Sequence, residues 1–150
     1  MSTKMVIVMR ADLRNVDGGK LRTGKFVAQG GHAIVGVIEK QGVFTQNLDN
    51  IDWGHKDCTS EDNFLVIRLS SASRNWFSKD SGFTKVCASC NSEKELLELY
   101  SKALNAGLPA QLITDSGRTE FNGVPTRTCI AIGPAEIEEI DKITGHLPLL

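Results

Sequence analysis

Short β-branched apolar runs alternate along this chain with helix-patterned segments, and that alternation restricts the fold more than any other feature. Met5-Val6-Ile7-Val8-Met9 reads as a buried strand. Thr23 can cap a helix from near Gly24 to about Gln41, with Val27, Ile34 and Ile38 spaced for one apolar face. Gly30 and Gly31 interrupt it at roughly 1 kcal/mol each relative to Ala, which points to close packing or room for a substrate. Residues 42 to 63 are polar and irregular, then Asn63 to Leu69 and Lys85 to Cys90 read as strands. Ser92-x-x-Glu95 is a capping box opening a helix from Glu93 to Ala106, with Leu96, Leu99, Tyr100 and Ala103 on its apolar face. Gly107 and Pro109 stop it. Ala110 to Thr114 and Thr128 to Ile132 read as further strands, and Pro134 suits the first position of a last helix. Glu136, Glu138 and Glu139 favour that helix's positive end, and Gly145 closes it. The fold class expected is α/β.

At 150 residues and 41% hydrophobic content the chain suits one domain, spanning 1–150, that buries about two-thirds of its unfolded surface. No apolar stretch approaches the ~20 residues of a membrane span, and Met1 to Lys4 lead straight into a strand without a signal peptide. The expected location is cytoplasmic, with no membrane partner. Net charge is −1, but residues 1 to 25 carry six Lys or Arg against two Asp, a local +4. A basic segment of this kind is what an RNA-facing surface needs, although an ordinary mixed surface accounts for it as well. Among the four cysteines, Cys87-x-x-Cys90 has zinc-like spacing but lies in a strand, where residues three apart face opposite sides. No second pair completes a tetrahedral site, so free thiols in a reducing compartment, and no metal, are expected.

The candidate chemistry lies in Asp115-Ser116-Gly117-Arg118-Thr119, where a carboxylate, a flexible glycine, a cation and a hydroxyl crowd one strand end. A charge directly after a buried run is costly unless it is hydrogen-bonded or works on something. Its counterpart upstream is Gly24-Lys25-x-x-Ala28-Gln29-x-x-His32-Ala33. Together with Arg10-x-Asp12-Leu13, the Trp76, Gly82, Lys85 and Val86 positions, Ile132-Gly133-Pro134 and Asp141-Lys142-x-Thr144-Gly145-His146-Leu147, these segments resemble the type 2 peptidyl-tRNA hydrolase family in content and order. The chain departs from that pattern at Ser116, where Ala is usual, at Glu120, where Gln is usual, and in a family-atypical insertion at about 42–75.

The resemblance implies a three-layer α/β/α sandwich around a mixed β-sheet of about four strands, a homodimer, and hydrolysis of peptidyl-tRNA without a cofactor. It puts Lys25, Asp115 and Thr119 on the catalytic positions; Gln29, His32, Gly117 and Arg118 in the same motifs, and Lys20 and Arg22 of the basic segment, are the residues expected to bind substrate or tRNA. Ester hydrolysis needs an oriented water, a stabilised oxyanion and a proton for the leaving ribose. Asp115 could orient the water, Lys25 could stabilise negative charge or keep Asp115 ionised, and Thr119 could position the water or donate to the oxyanion. Each has an ordinary alternative: Lys25 as a surface charge, Asp115 as an Asx turn with Gly117, Thr119 as a β-former. Gly19 to Lys25 also satisfies GxxxxGK, but Phe26 stands where a phosphate loop needs Ser or Thr for its metal. A non-catalytic RNA- or protein-binding relative on the same fold is the other alternative.

Overall fold

The computed structural model describes residues 2–46 and 63–150. In chain order its elements are β1 (Thr3–Arg10), α1 (Thr23–Glu39), β2 (Gly42–Thr45), β3 (Phe64–Ile67), α2 (Ser71–Phe77), β4 (Lys85–Cys90), α3 (Glu93–Asn105), β5 (Ala110–Asp115), β6 (Thr126–Glu136) and α4 (Ile137–Thr144). Four of the strands form a mixed sheet in the order β4-β1-β6-β5. β1 runs parallel to β4 and antiparallel to β6, and β5 is also antiparallel to β6. The carboxyl ends of β1, β4 and β5 therefore share one end of the sheet.

Alternation along β1 sends its side chains into two cores. Met5, Ile7 and Met9 pack with Ala33 and Val37 of α1 and Trp76 of α2. Val6 and Val8 pack with Leu96 and Leu99 of α3 and Ile140 and Ile143 of α4. Covering both faces of the sheet is what permits an unbroken apolar strand, and it makes the molecule the three-layer α/β/α sandwich expected from the sequence. Each large side chain withdrawn from water in this way stabilises the fold by roughly 1.5–3 kcal/mol. Trp76 is fully buried and still satisfies its indole, which donates to Thr84 O at 2.8 Å.

Local signals mostly act where the sequence puts them. Ser92 Oγ accepts from Glu95 N at 3.0 Å, while the Glu95 carboxylate reaches one residue further back than a standard box, to Asn91 N at 2.9 Å. Thr23 is not a cap: it is the first helical residue of α1, and Arg22 precedes it without a side-chain capping bond. Val27 does not join the buried face with Ile34 and Ile38; it is exposed, because the first turns of α1 border an open groove. Gly30 lies under Met9 Cε, where an added Cβ would come within 3.2 Å, whereas Gly31 faces open space.

Two expectations need correction. Pro134 does not start the last helix; it lies inside β6, and α4 begins at Ile137. A central strand accepts a residue without an N–H here because the β1–β6 register shifts. Lys4 pairs with Ala135 and Val6 with Ile132, so Gly133 and Pro134 together oppose Met5 as a bulge. In the segment that read as irregular, Gly42–Thr45 is a strand, paired antiparallel with Phe64–Ile67. Of the segment expected to be an insertion, 42–75, residues 47–62 lie outside the described residues.

Candidate active site

The strand β5 delivers Asp115 to the carboxyl end of the sheet, and the first turn of α1 brings Lys25 to meet it across 90 positions of sequence. Lys25 Nζ donates to Asp115 Oδ2 at 2.8 Å, and both side chains are largely withdrawn from solvent, at 12% and 15% exposure. Gln29, one turn further along α1, is buried and donates from Nε2 to the same oxygen at 2.9 Å. The other carboxylate oxygen accepts from Gly117 N at 2.8 Å, which is the Asx turn. Turn and ion pair thus coexist on one side chain.

Burial raises the Asp115 pKa, but the bonds from Lys25, Gly117 N–H and Gln29 outweigh it and hold the carboxyl below its ordinary value. Asp115 is therefore an ionised acceptor at neutral pH and a weak base. Lys25 Nζ also lies 3.4 Å from Thr119 Oγ1 and 5.5 Å from the centre of the Phe121 ring. Gln29 in turn is fixed by Thr128, whose hydroxyl donates to Gln29 Oε1 at 2.5 Å. Asp115 is oriented through Gln29 by a buried threonine of the central strand.

These groups open on a cleft of about 670 Å³ whose walls include Arg22, Gly24, Lys25, Gln29, His32, Asp115, Arg118 and Thr119. Lys25, Gln29 and His32 follow i, i+4, i+7 spacing, so one stripe of α1 supplies that wall. Gly117 is required by the turn: its φ is +78°, and a Cβ there would stand 2.2 Å from Val124 O. Gly117, expected among the residues that bind substrate, instead packs against the chain's own backbone and does not line the cleft. Lys20 is also outside the cleft walls, exposed in a turn bridged to Arg14. His55 and Cys58 lie outside the described residues.

Three residues with roles here carry no strong local signal. Thr128 looks like any strand threonine, and Phe121 like any loop aromatic. Glu120 is a buried carboxylate, 4% exposed, paired at 2.7 Å with Arg22, which is 79% exposed. The Arg22 guanidinium is thereby tethered at the rim of the cleft, with Nε and Nη2 both on Glu120 Oε1. Arg118 on the opposite wall is exposed.

Nothing in the described thiols assembles a metal site. Cys87 and Cys90 face opposite cores, and burial pushes the thiol of Cys90 up to about 11 and that of Cys129 up to about 12. Among the described residues no three His, Cys, Asp or Glu side chains gather as ligands. No described helix is long and apolar enough to cross a membrane.

The family model described as Peptidyl-tRNA hydrolase PTH2 matches residues 3–150. A peptidyl-tRNA hydrolase of Methanocaldococcus jannaschii is 39% identical over 147 residues, which are 98% of this chain and 99% of the relative. One from Sulfurisphaera tokodaii is 37% identical over 152 residues, with both chains covered in full. A solved structure, a protein of unknown function from Agrobacterium tumefaciens C58, matches with a TM-score of 0.53 over 100% of this chain and 98% of that one. At 12% identity it is a likeness of fold alone.

Proposed function

Because this chain belongs to the peptidyl-tRNA hydrolase PTH2 family, a family of enzymes that hydrolyse peptidyl-tRNA, we propose that Lys25, Asp115 and Thr119 carry the reaction in the cleft just described. The observation that carries this reading is the convergence of Lys25 and Gln29 on one oxygen of Asp115 at the floor of a cleft rimmed by arginines. The substrate is an ester between a peptide carboxyl and a tRNA ribose hydroxyl. Water attacks the carbonyl carbon and gives up a proton, and negative charge gathers on the carbonyl oxygen. The bond from the carbonyl carbon to the ribose oxygen then breaks as the ribose oxygen takes up a proton, which balances the one the water lost.

Asp115 accepts a hydrogen bond from the attacking water and aims it. Its depressed pKa makes it a poor base, so orientation, and uptake of the proton only as the water becomes acidic on attack, is its share. The Lys25 ammonium lies where the oxyanion develops, and a fixed cation in a partly desolvated site acts with little reorganisation. Thr119 Oγ1, next to Lys25 Nζ, donates to the oxyanion or the water. Gln29 is a positioning residue rather than a direct contact, since both ends of its amide are engaged by Asp115 and Thr128. Arg118, His32 and Arg22 meet the tRNA end, chiefly its phosphates.

The proposal extends to assembly and location. On the far side of α1 from the site, Phe26, Val27, Ile34, Cys87 and Leu150 line an open apolar groove of about 630 Å³. Such a surface suits a second copy of the chain, and a homodimer acting in the cytoplasm is the form we propose. Sedimentation measures the first point. Purified protein incubated with N-acetyl-aminoacyl-tRNA tests the whole reading: wild type releases the acyl group, and proteins carrying Lys25→Met, Asp115→Asn or Thr119→Val release it more slowly while still binding an uncleavable amide-linked analogue.

A further inference from the structure

We propose that the peptide half of the substrate lies along the open edge of β5, in a groove between that strand and α1, as an added strand running parallel to β5. The inference rests on the hydrolase reading above and adds to it a binding site for the peptide main chain.

β5 is the last strand of its sheet, with β6 on one side only. α1 runs beside it from end to end: Lys25 meets Asp115 at one end, and Lys40, just past the helix, donates from Nζ to Ala110 O at 3.3 Å at the other. Between these closures lies a groove of about 520 Å³, walled by Val35 and Gly36 of α1 and by Gln111 and Ile113 of β5. It shares His32 and Asp115 with the catalytic cleft, so the two open into each other.

The main chain along this groove is of the kind that accepts another strand. Gly133 N donates to Pro109 O at 2.8 Å, which fixes the ladder register. Antiparallel pairs alternate between bonded and non-bonded, so Gln111 and Ile113 turn their main-chain groups to β6, and Ala110 and Leu112 turn theirs outward. The outward carbonyls have found stand-ins: Ala110 O takes Lys40, and Leu112 O takes the side-chain amide of its own neighbour, Gln111 Nε2, at 3.3 Å. A bound peptide N–H does the same work as the Gln111 amide and can displace it.

Charge separates the two cavities. The catalytic cleft has Arg22, Lys25 and Arg118 on its walls, as phosphates require. The groove has no Lys or Arg on its walls; beyond Asp115 its one charged wall residue is Glu39, and it presents Val35, 63% exposed. Nucleic acid is disfavoured there and an uncharged peptide is not. The length also fits. From Gln29 to Glu39 the helix advances about 15 Å, and from Gln111 to Asp115 the strand advances about 13 Å, the span of roughly four extended residues.

Direction follows from the chemistry. The scissile carbonyl ends the peptide and must lie at Asp115, the carboxyl end of β5, so earlier residues run back toward Gln111 and the added strand is parallel. Main-chain pairing reads no side chains, which suits an enzyme whose substrates end in every sequence.

The test uses wild-type protein and tRNA bearing N-acetylated peptides of one, two, four and six residues, with kcat and KM measured separately. The expected result is a kcat/KM that rises roughly tenfold or more between one and four residues, mostly through KM, and is flat from four to six. A tetrapeptide N-methylated at its internal amides, and Val35→Trp acting on the unmodified tetrapeptide, should each bring the ratio back to about one. Val35 is exposed, and a melting curve checks that its variant is folded. Equal kcat/KM for one and four residues, or a gain that survives both N-methylation and Val35→Trp, overturns the groove while leaving the hydrolase reading intact. No release from any of the four substrates overturns that reading and the groove with it.

Discussion

Asp115→Asn keeps the size and planarity of the side chain and removes only the charge, and the structure allows its effect to be worked out. Oδ2 receives two donors, Lys25 at 2.8 Å and Gln29 at 2.9 Å, and Oδ1 receives Gly117 N. An asparagine has one carbonyl oxygen. If that oxygen keeps the turn with Gly117, its NH₂ faces two other donors, so two charge-assisted hydrogen bonds are lost together. Each is worth roughly 1.5–3 kcal/mol, but the variant no longer desolvates a carboxylate and Lys25 can swing partly into the open cleft, so the net destabilisation is about 2 kcal/mol. That lowers the melting temperature by several degrees. The kinetic effect is larger: without an anion to aim water and fix Lys25, kcat falls by ~10²-fold, or about 2.7 kcal/mol, with KM little changed. Single-turnover hydrolysis of N-acetyl-aminoacyl-tRNA measures the first quantity, and binding of the amide-linked analogue controls for affinity. Lys25→Met combined with Asp115→Asn should cost less than the two separate losses added together, since each removes the other's partner. A variant with lowered melting temperature and wild-type kcat would refute the reasoning and leave Asp115 as a strand-end cap.

Gln29→Met should lower kcat about tenfold with KM unchanged, because Asp115 loses its orienting amide while Lys25 stays; a change confined to KM would make Gln29 a substrate contact instead. Arg118→Glu should raise KM and flatten its dependence on salt more than Lys20→Glu does, since Arg118 lines the cleft and Lys20 does not; the reverse ranking in a salt series would move the tRNA path toward the Arg14–Lys20 turn. The Asp115 carboxyl is held below its ordinary value in the folded protein, so its contribution to stability is complete above the unfolded value of about 4 and is lost as pH falls through the folded value. Melting curves of wild type and Asp115→Asn should accordingly differ by a constant amount from pH 7 to 5 and converge in stronger acid, whereas a gap that narrows already between pH 7 and 6 would mean that the carboxyl is raised.

The layers of this protein were legible in its sequence because the signals that set them act within a few residues. An unbroken β-branched run at Met5 to Met9, a Ser92 to Glu95 cap and a Gly107-Leu108-Pro109 stop specify strand, helix and end wherever they occur. The ordered motifs around Lys25 and Asp115 pointed to a candidate site by resemblance, although neither segment says by itself that the two side chains touch. Sheet order decided that. With β5 parallel to β1 at the far side of β6, Asp115 arrives at the same end of the sheet as the start of α1, and only then does Lys25 find it. The same long-range assembly turned Gln29 from one more helix residue into the link between Asp115 and Thr128, and set Glu120 beneath Arg22. It placed Pro134 in a strand instead of at a helix start, because a bulge opposite Met5 removed the need for its missing N–H. Contacts across 86 to 99 positions leave no periodicity in the chain. They exist only once two cores have packed against one sheet, and packing is a property of the whole surface, not of any window along it.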